Sequence, residues 1–346
     1  EPLLSLSLRN LGEEDLQAEV DFPAIGPLRL ADAIEDDWYF FPKRGSVLSN
    51  QPVGLSAPHG GAYKMQFMDV YSADTGGGVY VRTLDREGGF GFFELEKGDD
   101  GTRMAVNYRW VDLPADESVP LPDAVVAAHE GDWHAAFDRY AGWVHSWYQP
   151  LVSRKQWFRE VFCFRQHRLR SGLLDFNEGE YHLQDTIERD REAFGYMDYL
   201  HIFDWSETEQ WGRVGDYDPW DEIPGPEQFQ AAVERAQADG TPVGLYLEGY
   251  LINKRSRVGQ AHGAEWTLLN PQGEEYGYFS TPESQNWSIC SWVDAWQAYM
   301  EQTFARVADE TDAMGLYIDE FGFGSPGKLC YNETHDHAIP APPVGG

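Results

Sequence analysis

The segment GLYIDEFGFG, residues 315–324, reads as a buried β-strand that ends in two adjacent carboxylates, Asp319 and Glu320. A carboxylate in such a place carries a desolvation cost unless hydrogen bonds or a ligand satisfy it. Successive side chains of a strand point to opposite faces, so one of the two carboxylates faces any site there. Because Leu316 and Ile318 form the more apolar face, which suits packing against helices, we assign the primary catalytic role to Asp319. Glu320 is a second candidate, for which a structural role is equally open.

Three further apolar runs in the C-terminal half also end in polar or aromatic side chains. The predicted strands are 160–164, 199–203, 242–247 and 315–318, and a helix pattern begins at Pro226. This alternation predicts parallel strands with right-handed crossovers, either in an open doubly wound sheet or in a (β/α)₈ barrel. The sequence has no Gly-rich phosphate loop after these strands, and polar groups at several strand ends are typical of barrel enzymes. We therefore predict a partial (β/α)₈ barrel.

The side chains at these strand ends are of the types that sugar-cleaving enzymes use. One carboxylate attacks or stabilises the anomeric carbon, another protonates the leaving oxygen, and aromatic rings stack on the sugar. A loop of over 20 residues with three tryptophans follows the second strand and is too long for a simple connection. The candidate substrate-binding residues are Arg165, His167, Asp204, Trp205, Trp211, Glu248 and Tyr250.

These candidates have different expected roles. Trp205, Trp211 and Tyr250 would stack on sugar rings, and Arg165 and His167 would orient carboxylates. Asp204 binds sugar or caps the backbone of a loop. Glu248 accepts a sugar hydroxyl or forms an ion pair with an arginine, and the sequence leaves both alternatives open.

The N-terminal part has a different texture. Short alternating strands are divided by Gly, Pro and Asp clusters, and SADTGGG and KGDDG are hairpin signals. We predict an antiparallel β-sandwich over residues 1–130. Residues 131–156 contain an aromatic stripe at helical spacing and are predicted to be a linker helix. The predicted barrel portion then occupies 157–346, with its first four strands.

The charge of the chain excludes some partners. It has 58 acidic and 26 basic residues, a formal net charge of −32, and no apolar run long enough to span a membrane. Such a surface repels phosphate backbones, so we expect neither nucleic acid nor a membrane as partner. The chain begins at Glu1 without a methionine, which fits either a removed leader or a longer polypeptide. The sequence does not determine the compartment, and we favour secretion or the periplasm.

Cysteine and histidine usage predicts neither a metal nor a cofactor. Cys163, Cys290 and Cys330 form no CxxC pair and are far apart in sequence, although a Cys290–Cys330 disulfide stays open. His335 and His337 flank an aspartate and could hold a metal, but their Pro- and Gly-rich surroundings favour a mobile tail.

Several segments together resemble one group of enzymes. DDWYFFPKRG, MDVYSADTGGGVYVRTLD, GRVGDYDPWDEIPGPEQFQ and GLYIDEFGFG are similar in texture to bacterial multidomain glycoside hydrolases of the α-galactosidase (melibiase) type and their relatives. The resemblance implies a β-sandwich before a (β/α)₈ barrel and a retaining mechanism. It also implies a nucleophile at the end of the fourth strand, which corresponds to Asp319, and an acid/base at the end of the sixth.

The chain departs from this pattern in two respects. YIDE replaces the lysine-x-aspartate form of the nucleophile strand, and an adjacent Asp-Glu pair also resembles enzymes in which an N-acetyl group of the substrate attacks. Only four barrel strands are expected, so the remainder would come from a longer chain or a second chain. The predicted function is hydrolysis of a glycosidic bond in a carbohydrate substrate. The alternatives are a non-catalytic carbohydrate-binding protein and an isomerase or lyase, which would need a cation or a Lys or His base.

Overall fold

The structure is a computed structural model that describes residues 1–59, 63, 65–86, 91–175, 177–206, 214–219, 224–276, 285–320 and 328–341. The described chain divides into two units. The first is Glu1–Leu151, and the second consists of residues 152–320 and Lys328–Ala341. Among the described residues, no helix is both long and apolar enough to cross a membrane.

The first unit is built from antiparallel strands. They are β1 (Leu3–Leu4), β2 (Ser7–Arg9), β3 (Leu16–Leu28), β4 (Asp37–Phe41), β5 (Val47–Ser49), β6 (Val53–Pro58), β7 (Phe67–Ser72), β8 (Gly77–Thr83), β9 (Phe92–Gly98), β10 (Gly101–Leu113), β11 (Ser118–Pro120) and β12 (Ala124–Glu130). A six-stranded sheet has the order β1-β12-β8-β7-β4-β5, a four-stranded sheet has the order β3-β10-β9-β6, and β2 pairs with β11. The two predicted hairpins, β7–β8 and β9–β10, are confirmed.

The two larger sheets of this unit share one apolar core. Tyr39, Val70 and Val81 come from the six-stranded sheet, whereas Leu95 and Met104 come from the four-stranded sheet, and all five side chains are buried in one cluster. Inward-facing residues of two antiparallel sheets that meet in this way fit the predicted sandwich.

Helix α1 (Trp133–Trp147) covers the other face of the six-stranded sheet. The ring of Trp133 stacks on Phe40 with centroids 4.3 Å apart, and Tyr140 stacks on Phe67 at 5.2 Å. The aromatic stripe is therefore a packing surface, as its helical spacing indicates. Residues 131–151 belong to the first unit, which differs from the expected separate linker over 131–156.

The second unit alternates helices and strands. Its elements are α2 (Gln156–Glu160), β13 (Phe164–Arg168), a π-helical turn (Leu169–Leu173), β14 (Leu174–Asp175), β15 (Glu180–Tyr181), α3 (Leu183–Phe194), β16 (Tyr199–Phe203), α4 (Pro226–Ala238), β17 (Val243–Glu248), β18 (Leu251–Asn253), α5 (Arg257–Trp266), β19 (Asn286–Ser288), α6 (Asp294–Thr311) and β20 (Gly315–Asp319). Helix α4 begins at Pro226 as predicted, because proline suits the first turn of a helix.

Strands β13, β16, β17 and β20 form a parallel sheet in that order, which is also their order along the chain. Leu200, Ile202, Leu245 and Leu247 alternate along the central strands and pack in one core with the buried residues of α3, α4 and α6. These four residues form the helix-covered face of the sheet. The residues between them, such as His201 and Tyr246, form the opposite face.

Three of the four predicted strands lie where the sequence places them, but the first was wrong. Residues 156–160 form α2, and the strand runs over Phe164–Arg168 rather than 160–164. The prediction followed the apolar run VFCF, residues 161–164. The strand that pairs with β16 instead begins at Phe164 and continues through polar residues.

Candidate active site

The face of the parallel sheet opposite the helices ends in two carboxyl groups. The register pairs Gly244 with Gly315, Tyr246 with Tyr317, and Glu248 with Asp319. Because alternate residues share a face, Tyr246 and Glu248 lie on the same face as Tyr317 and Asp319, opposite the helices. Two carboxyl groups from neighbouring strands therefore meet at the carboxyl edge of the sheet.

The hydroxyl of Tyr246 lies between these two carboxyl groups. Its Oη is 2.9 Å from Glu248 Oε2 and 2.9 Å from Asp319 Oδ2. A phenol has one proton and can donate to only one of them, so in the other contact the hydroxyl accepts. One of the two carboxyl groups must therefore be protonated for both hydrogen bonds to form.

Glu248 is the carboxyl group that holds this proton. Its side chain is 0% exposed, and burial raises its pKa to about 8, with the charges of Glu320 and Asp319 acting in the same direction. At neutral pH the protonated Glu248 donates to Tyr246, and Tyr246 donates to Asp319. Burial likewise raises the pKa of Tyr246, so this phenol keeps its proton.

The backbone turns sharply directly after Asp319. Glu320 has a φ of 52°, a left-handed conformation that is uncommon for a residue other than glycine. The N–H of Glu320 donates to Asp319 Oδ1 at 2.9 Å, the oxygen that Tyr246 does not contact. The charge of Glu320 also raises the pKa of Glu248. The left-handed turn therefore ends the alternation of the strand at Asp319.

The layers below the carboxyl pair are aromatic. His201 on β16 packs beside Tyr317, with ring centroids 4.9 Å apart, and burial lowers its pKa to about 4. Its two ring nitrogens are buried and have no hydrogen-bond partner among the described residues. Deeper in the sheet, the Tyr199 hydroxyl occupies the space that a side chain at Gly244 or Gly315 would fill. This crowding explains why both strands carry glycine at that level.

Tyr246 and His201 were missed by the sequence analysis. Both could have been found from alternation, since Tyr246 is two residues before Glu248 in GLYLE and His201 lies in the middle of YLHIF. The prediction considered only residues at strand ends, whereas Tyr246 and His201 lie within their strands on the face that carries the carboxyl groups.

Two aromatic residues expected to stack on sugar are buried in the helix-side core. Trp205 is 1% exposed, stacks on Phe229 of α4 and donates from Nε1 to the Tyr246 carbonyl oxygen at 2.8 Å. Tyr250 is 3% exposed and belongs to the same core cluster. The expectation that these rings contact a sugar was therefore wrong. Trp211 lies outside the described residues.

Arg165 and His167 were also misplaced by the sequence analysis. His167 Nε2 is 2.6 Å from Asp190 Oδ2, and Arg165 Nε donates to the same oxygen at 3.2 Å. The Arg165 guanidinium lies over the Phe194 ring. Asp190 and Phe194 are on α3, so both basic side chains lie on the helix-covered face. They orient a carboxylate, as expected, but not one of the candidate site.

The remaining two candidates have structural contacts. Asp204 Oδ1 accepts the Leu169 N–H at 2.8 Å, and burial raises the pKa of this carboxyl group. Of its two alternatives, the capping role is the one observed. Glu248 lies in the site but is fully enclosed, so it is not placed to accept a hydrogen bond from a sugar without rearrangement.

The fold is that of glycoside hydrolase domains. α-N-Acetylgalactosaminidase NagBb from Bifidobacterium bifidum, in complex with GalNAc, matches with a TM-score of 0.68 at 13% identity over 96% of this chain and 57% of that chain. GH36 α-galactosidase AgaA from Geobacillus stearothermophilus matches with a TM-score of 0.56 at 16% identity, over 91% of this chain and 44% of that one. The α-galactosidase from Lactobacillus brevis matches with a TM-score of 0.56 at 13% identity, over 90% and 42%.

The chain thus spans about half the length of these structures. Residues 120–342 match the family described as "Domain of unknown function (DUF6259)", and the chain belongs to this family. No curated protein sequence matches it.

Proposed function

We propose that the protein is a glycoside hydrolase in which Asp319 is the nucleophile or the stabiliser of positive charge on the sugar. The observation that carries this proposal is the pairing of Glu248 and Asp319 across neighbouring strand ends, with Tyr246 2.9 Å from each. The similarity to α-galactosidase and α-N-acetylgalactosaminidase structures supports α-linked galactose or N-acetylgalactosamine as the substrate class.

In this proposal Glu248 and Tyr246 are positioning residues. The protonated Glu248 fixes the hydroxyl of Tyr246 so that the phenol donates to Asp319. A neutral Glu248 also leaves the negative charge of the pair on Asp319, which is partly exposed and can meet the developing charge on a sugar. Asp319 thereby has one fixed donor on each oxygen, Tyr246 and the Glu320 N–H.

The distance between the two catalytic carboxyl groups separates retaining from inverting glycosidases, at roughly 5 Å against 6.5 Å or more. Glu248 lies beside Asp319 as a positioning residue, so the spacing of this pair does not decide between the two mechanisms. Since Glu248 is enclosed, the proton donor would be Glu320 or a residue on a further strand.

Further strands would complete the barrel in this proposal. Phe164 on β13 is 46% exposed and Tyr317 on β20 is 44% exposed, and both project from the same face of the sheet. Large apolar rings and unpaired strand edges are usually covered in a folded protein. Residues from a longer chain or a second chain would cover them and supply an acid/base.

The test is hydrolysis of aryl α-galactosides and aryl α-N-acetylgalactosaminides by the protein in its longest natural form. Asp319→Asn should lower kcat by at least about a thousandfold, as loss of a nucleophile does in other hydrolases. Glu320→Gln should lower it less if the proton donor lies on a further strand. The control is Asp309→Asn, which removes an exposed carboxylate from α6 and should leave turnover unchanged.

Two outcomes would oppose the proposal. Wild-type turnover in Asp319→Asn removes this residue from the mechanism. The second outcome is that the wild type binds galactose or N-acetylgalactosamine without hydrolysing the glycosides, and that Asp319→Asn abolishes this binding. It would support a non-catalytic carbohydrate-binding protein.

A further inference from the structure

Four side chains that can bind a metal converge in the second unit. Cys290 precedes α6, whereas Cys330, His335 and His337 lie in the segment Lys328–Ala341. One ligand atom from each of the four lies within 4.8 Å of all the others. Both cysteines are buried and free, and the two histidines are half-buried. The cysteines that are far apart in sequence therefore lie close together in the fold. The segment with the histidines, expected to be a mobile tail, is held by hydrogen bonds from Tyr331 N–H to the Leu269 carbonyl oxygen and from Asn332 Nδ2 to the Thr267 carbonyl oxygen.

The distances in this cluster match a tetrahedral site. Cys290 Sγ lies 3.4 Å from His337 Nε2, Cys330 Sγ lies 3.4 Å from His335 Nδ1, and these two nitrogens are 3.3 Å apart. With zinc bonds of about 2.05 Å to nitrogen and about 2.3 Å to sulfur, a tetrahedron separates two nitrogens by about 3.3 Å and nitrogen from sulfur by about 3.5 Å. These three distances are therefore those expected between ligands of one ion, and the other separations are within 4.8 Å.

The outer ring nitrogen of each histidine lies beside a backbone carbonyl oxygen. His335 Nε2 lies 2.9 Å from the Glu265 carbonyl oxygen, and His337 Nδ1 lies 2.9 Å from the Ala338 carbonyl oxygen. A carbonyl oxygen can only accept, so Nδ1 of His337 carries the hydrogen and its Nε2, which faces Cys290, carries a lone pair. Nε2 of His335 also lies 3.0 Å from Asn332 Nδ2, which is a donor, so this ring can hold its hydrogen on either nitrogen. Metal-binding histidines are typically held in this way.

A hydrogen bond between the two rings is the alternative to a metal at this cluster. It requires a hydrogen on His335 Nδ1, which would donate to His337 Nε2 at 3.3 Å, whereas a metal requires a lone pair on both nitrogens. A cation at this position would bind all four atoms at once. Two thiolates and two imidazoles in a tetrahedral arrangement are a ligand set that favours zinc.

We propose that Cys290, Cys330, His335 and His337 form a structural zinc site. Four protein ligands close the coordination sphere, so the ion would stabilise the fold and would not activate water. It would join Lys328–Ala341 to the loop before α6. The proposal does not depend on the glycosidase function.

The test begins with the wild-type protein purified under reducing conditions and passed through metal-free buffer. Elemental analysis should find one zinc ion per chain. Exchange with Co²⁺ should give the visible absorption of a tetrahedral cobalt–thiolate site. Zinc should protect Cys290 and Cys330 from alkylation, while Cys163 reacts, and a strong chelator should abolish this protection.

Matched variants locate the ion within the chain. Cys290→Ser and His337→Ala should each lower the bound zinc to below about a tenth of an equivalent after dialysis. Cys163→Ser is the control for the first variant. His182→Ala is the control for the second, because His182 belongs to a separate cluster with Asp175 and Glu178. Both controls should retain the full equivalent.

Three results would overturn the proposal. The first is reduced wild-type protein that takes up no zinc or cobalt. The second is loss of zinc in His182→Ala together with its retention in Cys290→Ser. The third is alkylation of Cys290 and Cys330 at the same rate with and without zinc. The alkylation and cobalt measurements use the wild type, so they remain decisive if a variant does not fold.

Discussion

Replacement of Glu248 by glutamine should remove a pH dependence of stability from the second unit. Burial raises the pKa of Glu248 in the folded protein to about 8, against an ordinary value of 4.5. The folded state therefore keeps a proton that the unfolded chain releases above pH 4.5. The stabilisation is fully present below that pH, declines as the pH rises, and is lost above about pH 8.

The size of the effect follows from the two pKa values. At about 1.36 kcal/mol per pH unit, the interval from 4.5 to about 8 corresponds to on the order of 5 kcal/mol of unfolding free energy. The glutamine side chain of the Glu248→Gln variant would resemble the protonated acid in shape and would not titrate. The difference in unfolding free energy between wild type and Glu248→Gln should therefore change by this amount across the window, with the variant favoured at high pH.

The measurement is urea unfolding at intervals from pH 4.5 to 9, followed by tryptophan fluorescence. Hydrogen exchange of the β17 peptide identifies the transition of the second unit. Glu234→Gln, which removes an exposed carboxylate from α4, is the control and should follow the wild type. A constant difference between wild type and Glu248→Gln would show that Glu248 is ionised in the folded protein at neutral pH.

Two stability predictions use matched pairs of positions. His129→Ala should cost about 3–5 kcal/mol of unfolding free energy, because it leaves the buried Asp69 carboxylate without its partner, whereas His134→Ala breaks an exposed pair and should cost under about 1 kcal/mol. Equal costs in urea unfolding would contradict this reasoning. Gly244→Ala should destabilise the second unit by about 1–3 kcal/mol or more, because a tyrosine hydroxyl occupies the space of the added methyl group. Gly142→Ala, in an open position on a helix, should instead stabilise by up to about 1 kcal/mol, and thermal unfolding of both variants tests the contrast.

Periodicity predicted the elements of the fold better than the contacts of individual side chains. The alternation of Leu316, Tyr317, Ile318 and Asp319 identified the helix-covered face of β20 and the face that carries the carboxylate. These assignments succeeded because the side-chain period of a strand is local and depends on few other residues.

The contacts of strand-end residues depended on register, which the sequence did not determine. A strand that begins at Phe164 directs Arg165 and His167 toward α3, where Asp190 binds both. If the predicted strand position is wrong by an odd number of residues, each side chain is assigned to the wrong face. If it is wrong by four, the faces are correct, but residues expected after the strand lie inside it. The error at β13 was of the second kind, so polar residues that seemed to follow a strand lie within it.

The cysteine and histidine cluster shows a different limit of sequence reasoning. Forty residues separate Cys290 from Cys330, and spacing rules recognise metal ligands only when they are close in the chain. Here α6 and β20 lie between the two cysteines, and the fold returns the chain to the same place. The His335 and His337 pair was visible in the sequence, but its partner Cys290 could be found only from the tertiary structure.

The two carboxylates at the end of β20 differ from Glu248 in how their charges are accommodated. Glu248 is enclosed and avoids the desolvation cost by keeping its proton. Asp319 is partly exposed and has a donor on each oxygen, and Glu320 turns out of the strand in a left-handed conformation. Glu248 is a buried acid that stays neutral, Tyr246 donates a hydrogen bond to Asp319, and the negative charge of the Glu248–Asp319 pair therefore lies on Asp319. A carboxylate held in this way suits a position where positive charge develops on a sugar, and ionising Glu248 or removing the Tyr246 hydroxyl would remove its fixed donor.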